Sequence, residues 1–150
     1  MRHLLIASIL TALSLTGLAK ADMMITKTSP HSVSETMDRL TAAVEGAGAK
    51  VFARVDHAAG AKSVEMELRP AEMLMFGNPK LGTPAMQAAP SMGLDLPLRV
   101  LAAEGEDGTV TVTYYAPMEV AKIHGADADL EVFKMMTGAL DNLTNKAIAE

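Results

Sequence analysis

The sequence predicts an α+β domain: a largely antiparallel sheet of about five or six strands with helices packed on one face. Three observations lead there. Apolar residues recur at helical spacing over 33–44 and again over 130–147. Several stretches between them alternate apolar and polar residues, as half-buried strands do. Those stretches follow one another through short connections, which favours antiparallel neighbours over long parallel crossovers.

Met23–Thr28 reads as the first strand, and Ser29-Pro30-His31 as a turn. Ser32 and Glu35 form a capping box: the Ser hydroxyl takes the N–H three residues on. Val33, Met37, Leu40 and Val44 then share one helical face, and Gly46 and Gly48 end the helix. Lys50–His57 alternates Val51, Ala53 and Val55 against Phe52 and Arg54, a strand. Ala58–Ala61 is small and turn-like, and Ser63–Pro70 alternates Val64, Met66 and Leu68 with charged residues, a further strand. Met73–Phe76 suits a short buried strand closed by Gly77. Thr83-Pro84 predicts a helix start, with Thr as N-cap and Pro at the first helical position. Leu98, Val100 and Ala102 return to strand, and Asp107-Gly108 turns the chain into Val110–Tyr115. A helix is expected from Pro117, a break at Gly125, and a last helix facing inward through Leu130, Phe133, Met136, Leu140, Leu143 and Ala147.

Residues 1–21 are read as a cleaved signal peptide, and 22–150 as the single domain. Arg2 and His3 precede the apolar run Leu4–Leu18, and Ala19-Lys20-Ala21 is an A-x-A cleavage signal. The run is shorter than the ~20 residues that span a bilayer. The expected location is the periplasm, with no membrane contact after cleavage. The chain has no Cys, so packing must replace disulfides, and zinc-thiolate sites and cysteine nucleophiles are excluded. Without Arg2 and Lys20, 11 basic residues face 18 acidic ones, a net charge of −7. Such a chain is a poor partner for nucleic acid, where phosphate neutralisation dominates binding. With no Trp, 2 Tyr and 3 Phe, stacking platforms are not expected. The 12 Met supply adaptable core packing instead.

The blocks "DHAAGA", "ELRP", "LMFGNPKLGTPAM", "GLDLPLR" and "AKIHG" occur in this order over roughly Ser34 to Gly125. In that combination the chain resembles the bacterial "domain of unknown function 302" family. The resemblance implies a β-α-β4-α arrangement like that of TATA-binding protein, and a homodimer. It implies no activity.

The glycines of Gly77-Asn-Pro-Lys-Leu-Gly82 have phosphate-loop spacing, yet Thr83-Pro84 follows where Lys and a hydroxyl are needed. Nucleotide binding is therefore rejected, and no cofactor is expected. A helix start at Thr83 beside Lys80 could still hold a small anion. His57 adjoins a loop without bulky side chains, and a His there can bind a ligand or carry a proton. The first functional reading is a non-catalytic small-ligand-binding or accessory domain. Its site residues would be Asp56, His57, Asn78, Thr83 and, if it lies close to His57, His124. Otherwise His124 is a helix-end residue facing the dipole. The alternative is periplasmic copper handling by Met73, Met75 and His57. The two thioethers share a strand face and suit Cu(I), although core packing explains them more readily. A third reading is a hydrolase-like enzyme with His57 as base and Ser63, Thr83 or Ser91 as the hydroxyl; no G-x-S-x-G elbow supports it.

Overall fold

The structure is a computed structural model, and it describes residues 23–150. The predicted signal peptide lies outside the described residues. Five strands, β1 (Met24–Ser29), β2 (Lys50–Asp56), β3 (Ala71–Gly77), β4 (Leu98–Glu104) and β5 (Val110–Tyr115), form one antiparallel sheet. Its order is β1-β5-β4-β3-β2. Five α-helices accompany it: α1 (Val33–Gly46), α2 (His57–Ser63), α3 (Pro79–Ala88), α4 (Pro117–Ile123) and α5 (Glu131–Ile148). A short 3₁₀ turn covers Pro90–Leu94.

The core follows the predicted faces. Val33, Met37, Leu40 and Val44 of α1 and Leu140, Leu143 and Ala147 of α5 bury against Leu74, Phe76, Val100, Ala102 and Val112 of the sheet. Ser32 caps α1 as expected, accepting the Glu35 N–H at 3.2 Å. A second cluster joins α3, the 3₁₀ turn, α4 and the first half of α5 through Ala85, Met92, Val120, Ala121, Phe133 and Met136. Lys27 staples β1 to α5: its ammonium reaches Asp141 Oδ1 at 2.7 Å, Asn145 Oδ1 at 2.7 Å and Thr144 Oγ1 at 2.9 Å. The Lys27 hydrogen bond, then its charge, holds the Asp141 carboxyl below its ordinary value.

Four expectations are corrected. First, Ser63–Pro70 is not a strand. Ser63 closes α2, Val64 and Glu65 form a turn, and residues 66–69 pair with no strand. Val64, Met66 and Leu68 are 64%, 66% and 53% exposed, so alternation without a partner did not make a strand. Second, Ala58–Ala61 is helical, because Asp56 caps α2 by accepting the Ala59 N–H at 2.8 Å. Third, α3 begins at Pro79 and not at Pro84. Asn78 is the cap, its Oδ1 accepting the Lys80 N–H at 2.9 Å, and Pro79 takes the first-turn position that needs no N–H. Thr83 and Pro84 are thus inside the helix.

Fourth, β2 does not keep one alternation. Val51 lies opposite the buried Phe76, whereas Ala53 and Val55 lie opposite Met75 and Met73. A bulge at Phe52 inserts one residue and so moves every later side chain to the other face. Arg54 thereby turns toward α1, where it bonds Asp38 and Ser34, and it also bonds Glu72 of β3. The face opposite the α1–α5 layer carries half-buried Val55, Met73, Met75 and Leu101, with Met24 and Tyr115 exposed at its edge.

Candidate functional site

The segment Gly77–Met86 builds the wall of an apolar cavity. β3 ends at Gly77, Asn78 redirects the chain, and α3 leads away from it. The cavity measures about 250 Å³ and is lined by Phe52, Asn78, Pro79, Leu81, Gly82, Thr83, Met86, Leu96 and Pro97, among others. Two glycines, Gly77 and Gly82, are part of its lining. A Cβ on Gly77 would meet Pro97 Cβ at 3.7 Å and Phe52 at 3.8 Å. A Cβ on Gly82 would stand 4.0 Å from Leu96 Cδ1. Asn78 and Thr83 supply the polar atoms of this mainly hydrophobic lining. The Asn78 oxygen is spent on the Lys80 N–H, which leaves its amide NH₂ as the donor for a ligand.

Asp56 and His57 are not part of that wall. Along the β2–β3 ladder Asp56 pairs with Glu72, whereas Lys50 pairs with Gly77. The two ends are about 20 Å apart at the strand rise of ~3.3 Å per residue. The expected single rim of Asp56, His57, Asn78 and Thr83 therefore does not form. His57 instead lines a shallow cavity of about 230 Å³ on the open sheet face, with Met24, Met73, Arg99, Leu101 and Tyr115. That cavity joins two thioethers to an imidazole, with Met24 in the place expected of Met75. Arg99, in the same lining, adds a positive charge that does not favour a bound cation. Among the described residues, no group of three His, Asp or Glu side chains has metal-binding geometry. Among the described residues no hydroxyl hydrogen-bonds to His57, so it lacks the partner that a general base for Ser63, Thr83 or Ser91 requires.

His124 occupies the richer setting. It follows α4 and its side chain is 8% exposed. Nε2 lies 2.7 Å from Asp95 Oδ2, and Nδ1 lies 3.0 Å from Ser91 Oγ. Asp95 Oδ1 accepts from Arg99 at 2.6 Å. With the ring neutral, these contacts run in one direction. A carboxylate only accepts, so Nε2 carries the imidazole proton. Nδ1 of the neutral ring then has a lone pair, and the Ser91 hydroxyl donates to it. The resulting relay is Ser91 to His124 to Asp95, with Arg99 fixing the carboxylate from its other oxygen.

The family model for the domain of unknown function DUF302 matches residues 25–143. The chain belongs to the DUF302 family. The crystal structure of an uncharacterized conserved DUF302 protein from Bacillus stearothermophilus superposes with a TM-score of 0.76, over 85% of this chain and 99% of that one. At 16% identity that likeness is one of fold. The chain is also 44% identical over 117 residues to a protein named fluoride-specific ion channel FluC 1 of Brucella suis, covering 77% of this chain and 46% of that protein. The protein of that name from Brucella abortus is likewise 44% identical over 117 residues, 43% of its length. The chain thus spans less than half the length of the curated relatives it matches.

Within this DUF302 domain, Asn78 and Thr83 line one cavity, and the helix start that the sequence placed at Thr83 lies at Asn78. Sequence reasoning missed Asp95 and Arg99 entirely. One signal was present: Asp95 and Arg99 are four residues apart in "DLPLR". Their side chains meet at 2.6 Å where the chain passes from the 3₁₀ turn into β4.

Proposed function

We propose that this DUF302 domain is an exported accessory domain that binds a small, mainly apolar molecule in the cavity walled by Gly77–Met86. The observation that carries this reading is the cavity itself: about 250 Å³, mainly apolar, with Asn78 and Thr83 as its polar side chains. Sites for small molecules combine these features, a largely apolar lining with a few placed polar groups. The size suits a ligand of one or two rings or a short acyl chain.

Gly82→Leu tests it cleanly. The side chain would enter the cavity beside Leu96, and replacing a helical Gly favours the helix by about 0.8–1 kcal/mol. The variant is expected to keep or raise its Tm while its affinity for anilinonaphthalene sulfonate falls at least about ten-fold, the equivalent of ~1.4 kcal/mol. Unchanged probe binding in the folded variant would sink this cavity as the site.

Export is part of the proposal and rests on Arg2, the apolar run Leu4–Leu18 and the Ala19-Lys20-Ala21 signal. Protein recovered from the periplasm of an expressing cell should begin at Asp22 by N-terminal sequencing; recovery of an intact Met1 terminus would refute it. No helix among the described residues is long and apolar enough to cross a membrane. In the Brucella relatives we read the shared segment as an accessory domain of proteins named as fluoride channels.

A further inference from the structure

We propose that Ser91 is a reactive nucleophile, activated by His124 and oriented through Asp95, that takes an acyl group from small activated esters or thioesters. This goes beyond the binding reading and does not rest on it.

The geometry has the three parts that such a site requires. The nucleophile is open: Ser91 is an exposed residue in the 3₁₀ turn Pro90–Leu94. The base is covered: the His124 ring is 8% exposed and spends one nitrogen on Ser91 Oγ at 3.0 Å. The orienting carboxylate is anchored twice, by His124 at 2.7 Å and by Arg99 at 2.6 Å. In the familiar serine hydrolases the base faces the hydroxyl through Nε2, and here it does so through Nδ1. The chemistry is indifferent to that exchange, because either nitrogen is basic once the other holds the proton. Three chain segments meet to make the contact, so it is not a local cap. Ser91 and Asp95 come from the turn before β4, Arg99 from β4, and His124 from the end of α4.

A purely structural bridge would need only one hydrogen bond between α4 and the turn. It would not require a hydroxyl left exposed at the end of a directed relay. The flanking residues set the substrate class. Leu94 and Ile123, chain neighbours of Asp95 and His124, are exposed apolar residues of the two segments that carry the relay, at 79% and 60% exposure. Such surroundings favour a short apolar acyl group over a highly charged one.

The step balances without another reagent. Ser91 Oγ forms a bond to the carbonyl carbon while its proton passes to His124 Nδ1. The C–O or C–S bond to the leaving group breaks, and the alcohol or thiol takes that proton from His124. Water, deprotonated by the same nitrogen, then returns the serine and releases the acid.

The test is labelling of the purified chain with an alkyl fluorophosphonate, read peptide by peptide by mass spectrometry. Ser63 is the internal reference: an exposed serine whose hydroxyl donates to the Gly60 carbonyl at 2.6 Å, with no imidazole partner. Ser91 is expected to label at least about 100-fold faster than Ser63, the low end of what a positioned base contributes. His124→Gln should erase that excess, and Asp95→Asn should reduce it, with each variant's fold checked by circular dichroism. Equal labelling of Ser91 and Ser63 in the unaltered chain would overturn the proposal, whether or not the variants fold. Fast Ser91 labelling that persists in a folded His124→Gln variant would overturn the role of His124.

Discussion

Replacing Phe76 by Ala is expected to lower stability by about 3–5 kcal/mol, the range for emptying a buried aromatic position. Phe76 is 2% exposed and lies near the end of β3, on the sheet's covered face. Val51 and Leu98 flank it on the two neighbouring strands, and Leu40 and Val44 of α1 belong to the same cluster. Its ring stands between a sheet and a helix layer that are each held by many other contacts, so the gap cannot close by local collapse. A cavity would remain and add to the lost transfer energy. For a domain of this size the change corresponds to a fall in Tm of roughly 10 °C or more. Phe52→Ala is the control. Phe52 is 51% exposed on the bulge, with the Lys50 ammonium 5.3 Å from its ring centre. It should cost under about 1 kcal/mol, as exposed substitutions do. Equal losses for the two, measured by urea unfolding, would contradict the placement of the bulge.

Phe133→Ala is expected to cost a similar 3–5 kcal/mol, but with a different footprint. Phe133 is fully buried in the second cluster, beside Ala85, Met92, Val120 and Ala121. None of the five strands contributes a fully buried member to that cluster. Its loss should therefore loosen α3, the 3₁₀ turn and α4 before the sheet. Hydrogen exchange is the measurement. Amides of α4 should lose more protection than those of β3 and β4, since local openings follow local packing. Uniform loss across both regions would show a single cooperative unit. The variant also bears on the Ser91–His124 contact, because Met92 of that cluster adjoins Ser91 and Ala121 lies three residues before His124.

Much of the fold was legible because local chemistry and burial agreed. The α1 face, the Ser32 cap, the Asp107-Gly108 hairpin and the α5 face each rest on residues that satisfy their own backbone or share one periodic stripe. The misreadings have specific causes. Ser63–Pro70 alternates as a strand would, yet a strand exists only where another strand accepts its hydrogen bonds. Thr83-Pro84 has the chemistry of a helix start, but Asn78-Pro79 offers the same chemistry one turn earlier. At β2, a single bulged residue reversed the faces, and periodicity alone does not reveal a bulge.

The candidate sites divide in the same way. Asn78 and Thr83 belong to one cavity because they lie within two turns of one helix, a nearness the sequence carries. Ser91, Asp95, Arg99 and His124 span a stretch from the 3₁₀ turn to the end of α4, and their meeting depends on how α4 packs on α5 and the turn. By itself the sequence determined the α+β class, the faces of α1 and α5, and the family, because those follow from spacing within short windows. The five-strand order, the separation of His57 from Asn78, and the Ser91–His124–Asp95 relay were decided only by tertiary structure. Each depends on which distant surfaces pack together, and no local pattern encodes that.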